Sequence, residues 1–215
     1  KPWYPSPIDA VKKVRNSFPE FDFPKHFVFI YYSFKDQSWA KSKLISLVSV
    51  NDFENFSRNE NGAVTESNCD NSASNCQGAK ALTAQDGTGF LLIGVPGELD
   101  PGDQTASYRM KTGMLEAHEY FHTLQDVPFT GANISGDYWP PRWVLEGGAE
   151  FVQNAAINNL NFEKYIDFRR LDGNDLYQKS YLYKEEFISD YLTRSNWSDS
   201  SFMDYYLGSR VIEIL

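Results

Sequence analysis

His118-Glu119-Tyr120-Phe121-His122 holds two of the chain's three histidines, and whether this stretch is helical decides how the fold is read. On an α-helix, positions i and i+4 lie on one face a turn apart, so both imidazoles can reach a single ion. Neutral imidazole is a good ligand for Zn²⁺, and a carboxylate beside the first ligand can activate a water held by the metal. The surrounding pattern is helical: Ala106, Met110, Met114, Ala117, Phe121 and Leu124 recur at helical spacing between Thr105 and Gln125. Asp103 or Thr105 can cap the start, and Pro128 forbids a long continuation. Gly113 weakens a helix interior, which is tolerable where another segment packs closely. One helix over 105–125 is therefore expected. A core helix whose histidines merely bond to backbone is the blander reading, and the glutamate beside a four-residue His spacing argues against it.

A catalytic zinc needs a third protein ligand and an open position for water. The remaining histidine, His26, lies far upstream in an apolar run and reads as the first residue of a strand. The longer motif with a third histidine would need glycine at 125 and histidine at 128, where this chain has Gln125 and Pro128. The third ligand should then be a carboxylate, and Glu146 is the best candidate. It sits in Trp143-Val144-Leu145-Glu146-Gly147-Gly148-Ala149-Glu150, on a helix expected from Arg142 to about Asn158 after Pro140-Pro141. Glu146 and Glu150 share a face, so one can bind metal while the other accepts the free N–H of a ligating histidine. Gly147-Gly148 is poor for a helix interior but suits a backbone that passes close to another helix or to the metal.

With these residues the chain resembles the gluzincin branch of the zincin metallopeptidases, the clan of the thermolysin, aminopeptidase N and glycyl aminopeptidase families. The resemblance rests on His118-Glu119-x-x-His122 and, 24 positions later, Glu146 in a Trp-x-x-Glu-Gly-x-Ala-Glu context. It covers chiefly residues 105 to 158. It implies a Zn²⁺ held by His118, His122 and Glu146, Glu119 as general base, and Glu150 as the carboxylate behind a ligand. Tyr205, in Tyr205-Tyr206-Leu207-Gly208 and 59 positions past Glu146, matches the Tyr-x-x-Gly of the two aminopeptidase families. It would be the donor to the transition-state oxyanion, with Tyr206 as the fallback. The Gly-x-Met-Glu-Asn substrate motif of aminopeptidase N is missing upstream, which argues against naming one family in the clan.

Composition bounds the rest. At 215 residues with 41% hydrophobic content, the chain can bury a sizeable core. No apolar run is long enough to span a bilayer. Its net charge of −9, without a basic block, argues against nucleic acid and anionic membrane as partners. Cys69 and Cys76 flank a polar, loop-forming segment and read as a small disulfide loop. That pairing, together with a start at Lys1 rather than Met, points to a secreted or periplasmic location. The apolar helical pattern ending at Leu215 points to a parent protein that continues.

Along the chain, a helix is expected from Ser6-Pro7 to about Ser17 with Ile8, Val11 and Val14 inward, and a buried strand over Phe27 to Phe34. Helix is favoured over 36–50. Asp52 to Gln77 reads as a polar insertion with little core; a Ca²⁺ site there is left open, with no EF-hand register fitting. Ala79–Ala84 and Gly89–Val95 read as a hairpin around Gln85-Asp86-Gly87-Thr88.

The expectation is one α+β, zincin-like catalytic domain over 1–215. A β-rich part spans about 1–104, a helical part spans 105–215, and the motif helix lies where they join. The zincin arrangement would place a cleft between sheet and helices, and strand 89–95, if at the sheet edge, could take an extended peptide as a further strand. The expected function is a zinc metallopeptidase acting on peptide or protein substrates. A zincin-fold binding or structural module without protease activity is the main alternative, and a zinc hydrolase of non-peptide amides is another. Cleavage preference and oligomeric state are not readable.

Overall fold

The structure, a computed structural model, describes residues 6–24, 26–59, 62–99, 101–126, 140–178 and 201–214. It is mixed α and β, as expected at that level, and falls into two compact units. One unit comprises Lys1–Phe21, Pro101–Phe121 and Asn133–Leu215; the other comprises Asp22–Asp100 and His122–Ala132. The motif helix runs through the division without a break.

The second unit is built on three strands, β1 (His26–Tyr32), β4 (Gly78–Thr83) and β5 (Thr88–Gly94), in the order β1-β5-β4. β4 and β5 form the expected antiparallel hairpin, while β1 joins β5 in parallel. β5 is therefore the central strand, bonded on both sides. The expectation that 89–95 forms a sheet edge fails, and its backbone is not open to an added peptide strand. Phe90, Leu91, Leu92 and Ile93 are all buried, which explains an unbroken apolar run where a half-exposed strand would alternate.

One face of this sheet carries the unit's core. Ile30 and Tyr32 from β1 and Phe90 and Leu92 from β5 meet Ala40 and Leu44, one turn apart on α2 (Gln37–Ile45). Helix α3 (Val50–Asn59) adds Phe56, and Val64 follows it. Residues 52–77 are thus no polar insertion with little core. Their apolar residues are few and widely spaced, yet Val64 and Cys76 are fully buried. Asn68 is buried too, and its amide donates to Tyr32 Oη at 2.9 Å and to the Leu92 carbonyl at 3.3 Å. A polar residue that satisfies the core's own donors and acceptors can occupy the interior at little cost.

Cys69 and Cys76 form a disulfide and pair across the short strands β2 (Cys69–Asp70) and β3 (Asn75–Cys76). Closing a loop this small removes unfolded-state entropy worth about 2.5 kcal/mol. A Cys69→Ala/Cys76→Ala variant should melt several degrees lower in a calorimetric scan, by about 5–10 °C. An unchanged melting temperature would show that the loop is held without the bond.

The first unit is helical. Helix α1 (Pro7–Ser17) buries Ala10 and Val14, one turn apart, whereas Ile8 is 59% exposed rather than inward. Two positions before Ala10, its side chain is turned about 200° away on the helix. The stretch expected as one helix over 105–125 is two, α4 (Gln104–Thr112) and α5 (Met114–Asp126). Gly113 ends α4 in the left-handed conformation with φ +86°, a geometry that strongly favours glycine. Asp103 caps α4 by accepting from the Ala106 N–H at 2.9 Å. Pro128, expected to stop the motif helix, lies outside the described residues, as does Leu215.

Helix α6 (Arg142–Ile157) follows Pro140-Pro141 as expected, and α7 (Phe162–Gln178) and α8 (Ser201–Ile214) follow it among the described residues. α6 and α8 cross at two glycines. A Cβ on Gly147 would lie 2.4 Å from the Gly208 carbonyl carbon, and one on Gly208 would lie 2.6 Å from the Trp143 carbonyl oxygen. The glycine of the Trp-x-x-Glu-Gly stretch thus serves a helix–helix contact, with backbone directly on backbone.

Candidate metal centre

Helix α5 carries His118 and His122 one turn apart, and α6 presents Glu146 and Glu150 on one face. One ligand atom each from His118, His122 and Glu146 lies within 4.8 Å of the others. His118 Nε2 is 3.4 Å from Glu146 Oε2. Bonds of 2.0–2.1 Å to a tetrahedral Zn²⁺ place neighbouring ligand atoms about 3.3 Å apart. That pair has the separation of two zinc ligands, and the three residues together offer a donor set of the kind zinc takes.

The other ring nitrogens face oxygens. His118 Nδ1 is 3.7 Å from Glu150 Oε2, too long for a formed hydrogen bond but close enough for the carboxylate to favour a proton on that nitrogen. His122 Nδ1 is 2.8 Å from Gln125 Oε1, an acceptor, so the ring donates there. In both rings Nε2 is left to act as the lone-pair donor. Glu150 stands behind His118, where the resemblance implies a carboxylate, and Gln125 stands behind His122, a partner that motif spacing does not mark.

Glu119 follows the first histidine on α5 and is largely buried. Tyr205, on α8, stacks its ring on that of His118, with centroids 5.6 Å apart and planes 16° from parallel. Burial pushes the Tyr205 phenol above its usual range, the charges of Glu146 and Glu119 push it further, and Arg142 opposes them. It therefore keeps its proton through the neutral range and remains a donor. Tyr206, the fallback, faces elsewhere: its hydroxyl donates to Asp175 Oδ2 at 2.5 Å.

The spacing of motifs did not reveal two further neighbours. Arg142, at the first position of α6, has its Nε 3.7 Å from Glu146 Oε1 and 3.4 Å from Asp204 Oδ2. Asp204 is fully buried, and burial raises its carboxyl to about 7, against Arg142 and with help from Glu146. Arg142 is four positions before Glu146, a legible helical pair; nothing local marks Asp204 as its second partner.

Comparison of the chain with protein-family models, with curated proteins and with solved structures found no match.

Proposed function

We propose that this chain is a zinc-dependent peptidase with a zincin-type fold. The observation that carries the reading is the convergence of His118, His122 and Glu146, with His118 Nε2 and Glu146 Oε2 at the separation of tetrahedral zinc ligands. Those three residues would hold the ion. Zinc, when bound, supplies Lewis acidity, which acidifies a water and polarises a carbonyl. Glu119 takes the proton from the attacking water and passes it to the leaving amine. Tyr205, a phenol that retains its proton, donates to the oxygen on which charge develops. Glu150 and Gln125 orient the two imidazoles. The Cys69–Cys76 disulfide supports a secreted or periplasmic setting. Among the described residues no helix is long and apolar enough to cross a membrane.

Metal analysis of the purified protein, followed by digestion of an unfolded protein substrate with and without a chelator, tests this reading. One equivalent of zinc and cleavage that the chelator abolishes and added zinc restores are expected. Zinc retained with no cleavage of diverse unfolded substrates would leave a metal-binding module and overturn the peptidase assignment. Cleavage indifferent to the chelator would overturn the metal mechanism.

A further inference from the structure

Glu150 uses its two oxygens in different directions. Oε2 faces His118 Nδ1 at 3.7 Å, while Oε1 accepts from Arg109 Nη2 at 2.6 Å. The Glu150 side chain is fully buried, and that of Arg109 is 18% exposed. A buried carboxylate needs a charged or hydrogen-bonding partner, and a guanidinium donor bound at one oxygen also fixes the plane in which the other oxygen lies. Arg109 is itself held. Its guanidinium carbon lies 5.8 Å from the centre of the Tyr206 ring, and Tyr206 is anchored by its hydrogen bond to Asp175.

The backbone makes this contact possible at one residue. Arg109 and His118 are nine positions apart, about two and a half turns. On one unbroken helix they would point in opposite directions. The left-handed Gly113 separates α4 from α5 and redirects Arg109, so that both residues reach Glu150 on α6. The helix break is therefore also what joins α4 to the metal centre.

We propose that Arg109 is a positioning residue for the metal centre, acting through Glu150 to orient the His118 ring, an inference that rests on the zinc reading above. Arg109 touches no proposed ligand in this scheme. Its effect on zinc passes through one carboxylate, and that distinguishes it from a residue that only stabilises the fold.

The test is zinc affinity by chelator competition, with the visible spectrum of the Co²⁺-substituted protein as a second readout and circular dichroism as the check on folding. Arg109→Met should weaken zinc binding by about 10- to 100-fold, the usual effect of removing an outer partner of a ligand, and should alter the Co²⁺ bands. In a Glu150→Gln background the same substitution should have little further effect, because its route to the metal is already cut. Unchanged affinity in a folded Arg109→Met variant, or losses that simply multiply in the double variant, would overturn the proposal. If Arg109→Met does not fold, Arg109→Lys carries the test. It keeps the buried charge but not the planar donor fork, and a folded Arg109→Lys protein with wild-type zinc affinity and Co²⁺ spectrum would equally overturn it. The controls separate this proposal from the one beneath it. Wild-type protein must bind zinc and His122→Ala must lose it. Failure of those controls sinks the metal reading and this inference together, whereas failure of the Arg109 series alone leaves the metal reading standing.

Discussion

If the chain is the proposed zinc peptidase, Glu119→Gln is expected to keep zinc and to lose hydrolysis by about 10²- to 10⁴-fold, the usual contribution of a positioned general base. That corresponds to about 3–5 kcal/mol of transition-state stabilisation. The two properties separate because of where the side chain sits. The proposed ligands are His118 and His122, four residues apart on α5, with Glu146 from α6, and Glu119 belongs to neither set. Glutamine has nearly the same shape and keeps a hydrogen-bonding end in a largely buried position, so packing should hardly change. What it lacks is a carboxylate able to take a proton from water. Single-turnover cleavage of an unfolded substrate, measured beside zinc content, checks the prediction. Normal turnover by zinc-loaded Glu119→Gln would eliminate Glu119 as the base, and loss of zinc together with activity would move the residue into the metal-holding set.

The candidate centre was largely legible because its parts are local. His118 and His122 on one turn, and Glu146 and Glu150 on another, are short-range helical relations, and helical geometry alone fixes which residues share a face. The hairpin of β4 and β5 was legible for the same reason, with turn residues between two apolar runs. Relations between distant segments were not. β1 pairs with β5 in parallel although some sixty positions separate Phe27 from its partner Gly89, and nothing in either run announces the pairing. That pairing also makes β5 central, which removed the expected peptide-binding edge. Helix propensity assigns Gly113 a cost but no direction. Its left-handed φ sends α4 to a new course, and Arg109 meets Glu150 only as a result. Among the described residues of 52–77 the many polar residues concealed six that are buried, Asp52, Phe56, Val64, Thr65, Asn68 and Cys76, because burial of isolated positions leaves no periodic trace.

Gly147→Ala should destabilise the protein by about 3–5 kcal/mol, above the common range for overpacking, although alanine is the better helix former. Two effects oppose each other. Alanine in a helix interior gains about 1 kcal/mol over glycine. Against that, the new Cβ would lie 2.4 Å from the Gly208 carbonyl carbon, 2.7 Å from its Cα and 2.7 Å from the Ser209 nitrogen. All three are backbone atoms, so no side-chain rotation relieves the contact, and α6 and α8 must move apart by about 1 Å to restore ordinary carbon–carbon distances near 3.5–4.0 Å. The repulsion therefore wins. For a domain of this size, the loss should lower the melting temperature by about 6–20 °C. Gly97→Ala is the matched control, since a Cβ there meets nothing within 4 Å. An unchanged melting temperature for Gly147→Ala would refute the close crossing. The consequence reaches the candidate metal centre, because α6 carries Glu146 and α8 carries Tyr205. A forced separation at Gly208, three residues past Tyr205, should disturb the stacking of that ring on His118. Whatever fraction of Gly147→Ala folds should then show reduced turnover even when saturated with zinc. The pairing of Gly147 with Gly208 thus sets how closely the tyrosine approaches the histidine, and one added methyl group tests both the packing and the approach.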